Sequence, residues 1–140
     1  MEKKHYHVVA AVVVFDGRIL CMQKGNTRFE YTAHHYEFPG GKVENGETES
    51  AALQRELREE MNYDVQPVHH LLTVEHAYPE FDITLSAWIC QAVSKDFCMK
   101  EHESFQWLRP KDLTKLNWCA ADLPIAEKIS QESFEYFFQA

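Results

Sequence analysis

The sequence predicts an α+β or α/β/α fold built around a mixed β-sheet. Three observations predict it. Apolar runs with strand character open the chain, a helix with an apolar residue every fourth position follows, and more strands and a second helix come after it. Residues 1–140 are expected to form a single domain, and 45% apolar with 13% aromatic residues suffice for a packed core.

Val8–Phe15 is rich in valine and ends at a turn, so it is expected to be a strand. Asp16-Gly17 is a strong two-residue hairpin signal, because both positions tolerate positive φ. Arg18–Lys24 is then the returning strand. Gly25–His35 shows no period and is expected to be a loop. Tyr36-Glu37-Phe38 is a short extended piece, and Pro39-Gly40-Gly41 a glycine-rich loop. A helix is expected from Thr48 to about Met61. Thr48 is a good N-cap and Glu49 suits the first turn. Leu53, Leu57 and Met61 make its apolar stripe, and Asn62 tolerates a left-handed cap.

Val68–Glu75 and Phe81–Val93 are expected to be partner strands. Phe81, Ile83, Leu85, Ala87 and Ile89 share one face of the second. Phe105–Leu108 is a further short strand, and Pro110–Leu116 has room for one helical turn. Asp122 to about Phe138 is expected to be a helix with Ile125 and Ile129 inward. The strand pairing does not follow from the sequence.

The net charge of −8 argues against binding of a nucleic acid polymer. An acidic protein still binds an anionic ligand when a divalent cation lies between them. The four cysteines form no C-x-x-C pair, and Cys21 and Cys90 lie in apolar strand-like runs, which fits a reduced, cytoplasmic setting. Lys3 and Lys4 before Val8–Phe15 mimic a signal peptide, but Asp16-Gly17 and a second apolar run make a hairpin the expectation. No apolar run is long enough to span a membrane. The eight histidines include the adjacent pairs His34-His35 and His69-His70, whose members point to opposite faces of a strand, and no pair has zinc-like spacing.

The stretch Gly41–Tyr63 carries the chemistry. On a helix, Glu56, Glu59 and Glu60 project within an arc of roughly 100°. Glu56 and Glu60 are i,i+4 neighbours of like charge, an arrangement that costs a few tenths of a kcal/mol. Leu53 and Leu57 border this arc, so the acids lie beside the core-facing stripe. Converging carboxylates suit a hard, oxygen-seeking cation. Arg55 directly precedes Glu56 and can hold a neighbouring carboxylate in place.

This segment resembles the box of the Nudix family, G-x5-E-x7-R-E-U-x-E-E-x-G-U with U aliphatic. Gly41, Glu47, Arg55, Glu56, Leu57, Glu59 and Glu60 match at the required spacing. Asn62 stands where the family has Gly, and Tyr63 where it has an aliphatic residue. The run Tyr36–Lys42, the stretch Glu101–Trp107 and Ala121-Asp122-Leu123-Pro124 are similar to MutT-type enzymes and CTP pyrophosphohydrolases.

The resemblance implies an α/β/α sandwich with the box as loop–helix–loop, and Mg²⁺ as cofactor with Mn²⁺ as a substitute. It implies metal ligands at Glu56, Glu59, Glu60 and Glu101 and at a carbonyl near Gly40. Glu56 is favoured over Glu101 as general base, with Arg55 orienting the acids. Glu47, Gly41 and Leu57 take structural places in the box. Lys24, Glu37, Phe38, Gly40, Gly41 and Asp122 are the expected substrate contacts, Asp122 at the base edge or as a helix N-cap. The implied function is hydrolysis of a nucleoside triphosphate, ribose or deoxyribose, to monophosphate and pyrophosphate. The substrate is expected to be an oxidised or modified nucleotide such as 8-oxo-dGTP, or CTP or dCTP. Nucleotide sugars, dinucleoside polyphosphates and a non-catalytic nucleotide sensor remain alternatives. A monomer or a homodimer is compatible with the sequence.

Overall fold

One strand is apolar on both of its faces, and the rest of the molecule is arranged around it. In the computed structural model, which describes residues 3–131, this strand (β1) runs Lys4–Phe15. Val9 through Val14 are all buried. A strand covered on both faces is a continuous apolar run rather than an alternating one. Val9, Ala11 and Val13 face one helix; Ala10, Val12 and Val14 face the other. β1 begins at Lys4 rather than Val8, because its polar first half continues the pairing without an apolar signal.

Asp16 and Gly17 turn the chain with φ of 53° and 71°, as a two-residue hairpin requires. The second strand (β2, Arg18–Lys24) pairs with β1 only at Val14↔Ile19 and Phe15↔Arg18. Beyond that it diverges and pairs with β7 (His102–Leu108) on one edge and β3 (Tyr36–Glu37) on the other. The edge of β1 so vacated is taken by Gly40–Lys42 (β4), paired antiparallel to Val8–Ala10. The glycine-rich stretch expected as a loop is therefore strand from Gly40 onward. The reason is steric: a Cβ on Gly40 would lie 1.8 Å from the Val9 carbonyl oxygen, so only glycine lets the two backbones come this close.

On its other edge β1 runs parallel to β6 (Phe81–Ala92) from Lys4↔Phe81 to Val14↔Gln91. β5 (Val65–Ala77) closes that side, antiparallel to β6, with register shifts between Pro67 and His69 and between His70 and Leu72. The helix Glu49–Met61 (α1) covers one face through Ala52, Leu53, Leu57 and Met61. Thr48 caps it by accepting from the Ala51 N–H, and Asn62 ends it in the left-handed conformation at φ 50°. Asn thus takes the cap that glycine usually fills. The other face is covered by a 3-10 helix, Pro110–Lys115, and by Leu123–Gln131 (α2) with Ile125 and Ile129 buried. The expected continuation of α2 to Phe138 lies outside the described residues. The result is the expected three-layer arrangement around a mixed sheet. No helix among the described residues is long and apolar enough to cross a membrane.

Candidate active site

The turn before α1 and the helix itself are locked together by one guanidinium. Arg55 Nε donates to Glu47 Oε2 at 2.6 Å and Nη2 donates to Oε1 at 2.9 Å. This fork is the strong, directional form of the pair. Nη1 donates to Glu56 Oε1 (2.9 Å) and to Glu59 Oε2 (3.2 Å), while Nη2 also reaches the Lys42 carbonyl at 3.0 Å. Arg55 therefore joins the turn, the helix and β4. The Arg55 fork, and then the Glu44 N–H, hold the Glu47 carboxyl down at about 2. Arg55 in turn is held well above its ordinary range, first by Glu47.

Glu56 reaches from α1 to the β4 backbone. A Cβ on Gly41 would stand 2.2 Å from Glu56 Oε2, so the missing side chain at Gly41 is the space the carboxylate occupies. Glu60 is hydrogen-bonded to Glu56 and feels the charge of Glu101. Burial first, then these two neighbours, push the Glu60 carboxyl up to about 8. The Glu59 side chain is 61% exposed and goes to Arg55. Among the described residues, no three acid, imidazole or thiol groups enclose a single point as they stand. The structure thus brings Glu56, Glu60 and Glu101 into one neighbourhood beside Gly40 and Gly41 and places Glu59 at its outer margin.

A cleft of about 640 Å³ runs from Gly40, Gly41, Glu60 and Glu101 to Phe38 and Asp122. Asp122 is only 6% exposed, and its Oδ1 accepts from the Phe38 N–H at 3.1 Å. Its carbonyl meanwhile accepts the Ala126 N–H at the start of α2 (3.2 Å), so it stands at the helix entry through its backbone. Beside it, Glu37 accepts from His102 Nε2 (2.9 Å) and from Lys24 Nζ (3.4 Å). The two carboxyls move apart. Burial opposes the charge of Glu37, but His102 and Lys24 outweigh it and hold the group below its usual range. Burial and the charge of Glu37 push Asp122 well above its usual range. Phe38 stacks on Trp118 with ring centroids 4.5 Å apart, which fixes the wall of the cleft.

Among the lining residues that the sequence did not point to are His102, Tyr78 and Cys119. His102 directly follows the candidate acid Glu101, a signal that was available. Tyr78 accepts the Ala121 N–H at 3.0 Å from a distant strand end, which only the fold reveals. Glu103, the near neighbour of Glu101, instead pairs with His34 at 3.0 Å.

A NUDIX domain family model matches residues 5–129. The chain belongs to the NUDIX family. Its relatives place it in the MutT-type branch. The CTP pyrophosphohydrolase of Escherichia coli (strain K12) is 32% identical over 124 residues, spanning 89% of this chain and 90% of that protein. The 8-oxo-dGTP diphosphatase of Proteus vulgaris is 37% identical over 89 residues, spanning 64% of this chain and 79% of its own. The solution structure of MutT from Methicillin Resistant Staphylococcus aureus 252 superposes with a TM-score of 0.74 at 39% identity, covering 94% of this chain and 100% of the other. This NUDIX protein is a hydrolase of phosphoanhydride bonds, and the match to the family spans both the α1 carboxylates and the Asp122 region.

Proposed function

We propose that the chain is a Mg²⁺-dependent nucleoside triphosphate pyrophosphohydrolase, taking 8-oxo-dGTP or a cytidine triphosphate to the monophosphate and pyrophosphate. One observation carries this reading: a single cleft is lined at one end by Glu60 and Glu101 and at the other by Asp122 and Phe38. Phosphates and a base can therefore be held by one continuous space.

The donor set suits a hard divalent ion. Glu56, Glu60 and Glu101 offer only oxygen, and burial first, then the neighbouring Glu56 and Glu101, hold the Glu60 carboxyl up at about 8, so a cation arriving there can replace a proton. Glu59 and a backbone carbonyl near Gly40 complete the proposed ligands, and Mn²⁺ is the expected substitute. When bound, the metal neutralises phosphate oxygens and makes water a better nucleophile. Glu56 is the group we assign to take the proton of the attacking water, with Glu101 as the second acid on the cleft wall. Arg55 keeps Glu56 aimed, through the bond at 2.9 Å. Gly41 leaves room for that carboxylate. Lys24 and Glu37 fix the floor near the base, and Asp122 presents to the base edge a carboxyl that burial and Glu37 hold well above its usual range. The four free thiols suit a reducing compartment, in keeping with the cytoplasm.

The test is product analysis with Mg²⁺ across 8-oxo-dGTP, dGTP, CTP, dCTP, ADP-ribose and a dinucleoside polyphosphate. Monophosphate plus pyrophosphate from a triphosphate, absent in Glu56→Gln, is the expected result. Exclusive turnover of ADP-ribose or the dinucleoside compound would move the substrate class, and turnover unchanged in Glu56→Gln would remove the assigned base.

A further inference from the structure

β1 carries a feature that the cleft does not use. Alternate residues of a strand share a face, so His5 and His7 stand with Val9 on the side packed by α1. Tyr6 and Val8 point the other way and line the cleft. His7 Nε2 donates to Glu49 Oε2 at 2.7 Å. The other oxygen of Glu49 accepts from Ser86 Oγ (2.6 Å) and Trp88 Nε1 (3.1 Å). His5 Nε2 donates to Thr84 Oγ1 at 2.7 Å, and that hydroxyl donates to Glu75 at 2.8 Å. In register, His7, Thr84 and Glu75 form one row across β1, β6 and β5.

We propose that His5, His7 and Glu49 form a metal site of their own, for a divalent transition ion of the Zn²⁺ class, on the sheet face opposite the cleft. Residues i and i+2 of a strand hold two imidazoles on one side, with Cα atoms about 6.6 Å apart. Two imidazole nitrogens and a carboxylate oxygen suit Zn²⁺, whereas Mg²⁺ prefers oxygen alone. His7 and Glu49 already present their donors to each other. Bonds of about 2.0 Å to one tetrahedral ion set its donors about 3.3 Å apart, so a small separation admits the ion. Ser86, fully buried, and Trp88 hold Glu49 in the way that outer hydrogen bonds orient ligating carboxylates. His5 and His7 are exposed; as they stand the three donors do not enclose one point, so the site forms only when the His5 ring turns from Thr84 toward His7. Glu49 and Glu75 balance the two charges of the ion.

Zinc titration of the full chain by calorimetry tests this, with millimolar Mg²⁺ present throughout to occupy sites made of oxygen alone. The wild type is expected to bind one equivalent of Zn²⁺. His5→Ala and His7→Ala lose it while retaining their circular dichroism spectrum and, for His5→Ala, Mg²⁺-supported turnover. Ser86→Ala weakens binding by about 10–100-fold, because Glu49 loses a partner that orients it. His70→Ala, which contacts Ser86 without facing Glu49, leaves binding in place. Co²⁺ in place of Zn²⁺ gives a visible band of mixed nitrogen and oxygen ligation that vanishes in both histidine variants. No zinc uptake by the wild type, or equal uptake in His5→Ala and His7→Ala, overturns the proposal.

Discussion

The two ends of the cleft are built in opposite ways. The carboxylate end takes Glu60 from α1, with Glu56 hydrogen-bonded to it and held by Arg55 and Glu47 of the same short segment, and adds only Glu101 from elsewhere. The base end gathers Lys24, Glu37, Phe38, His102 and Asp122 from β2, β3, β7 and the entry of α2. A local end is fixed by helix geometry and resists change elsewhere in the fold. An assembled end depends on several pairings at once, so it is the part where specificity can shift while the chemistry stays. The carboxylate end should therefore control rate, and the base end should control which substrate is preferred.

Variants can break this contrast, beginning with the largest effect. Glu56→Gln removes the assigned proton acceptor, and kcat should fall by about 10²–10⁴-fold for every substrate alike. A fall confined to one base, seen in steady-state kinetics, would put Glu56 at the wrong end. Gly41→Ala places a Cβ where the Glu56 carboxylate lies, 2.2 Å from Oε2. A displacement near 1 Å costs about 10²-fold, so kcat should drop by that order. A matched urea midpoint would show that the loss is one of position rather than folding.

Asp122→Asn keeps an acceptor for the Phe38 N–H and puts an amide donor in place of the other carboxyl oxygen. It should leave kcat for the best substrate within severalfold of the wild type, yet change the kcat/KM ratio between 8-oxo-dGTP and CTP by about tenfold. An unchanged ratio over the panel would separate Asp122 from base recognition.

The smallest effect is in acid. Arg55 lowers the Glu47 carboxyl to about 2, below its ordinary value near 4.3 in the unfolded chain. The contribution of that pair is then complete above about pH 4.3 and fades as pH falls toward about 2. Urea unfolding from pH 7 down to 2.5 should show a loss below pH 4 that Glu47→Gln flattens. Identical slopes in the two proteins would mean that the fork at 2.6 Å and 2.9 Å adds no net stability.

The same contrast explains what the sequence made legible. α1 was readable because Thr48, the Leu53–Leu57–Met61 stripe and Asn62 are local signals, and each acts as expected. The acids proposed to bind metal came with them. β4 was not readable, since Gly40 and Gly41 signal a loop until Val9 and Glu56 are known to press against them. β5 begins at Val65 rather than Val68, because Pro67 and two register shifts break its alternation. β7 begins at His102 rather than Phe105, with polar residues that carry no strand signal by themselves. Nor could the sequence place Lys24 and His102 on Glu37, a convergence that depends on β2 leaving β1 for β7.

The position of β1 has a consequence for exchange of its amide hydrogens with solvent. One edge of the strand is paired to β6 along its length, the other to β4 at Val8–Ala10 and to β2 at Val14 and Phe15, and both faces are covered from Val9 to Val14. Such amides open only when the whole structure opens. Gly40, Gly41 and Lys42 are paired to this element, so the backbone floor of the cleft shares its persistence. Destabilising changes elsewhere in the sheet should thus lower the fraction of molecules that are folded, while each folded molecule keeps an intact floor. Such variants would lose abundance in a cell before they lose turnover per molecule.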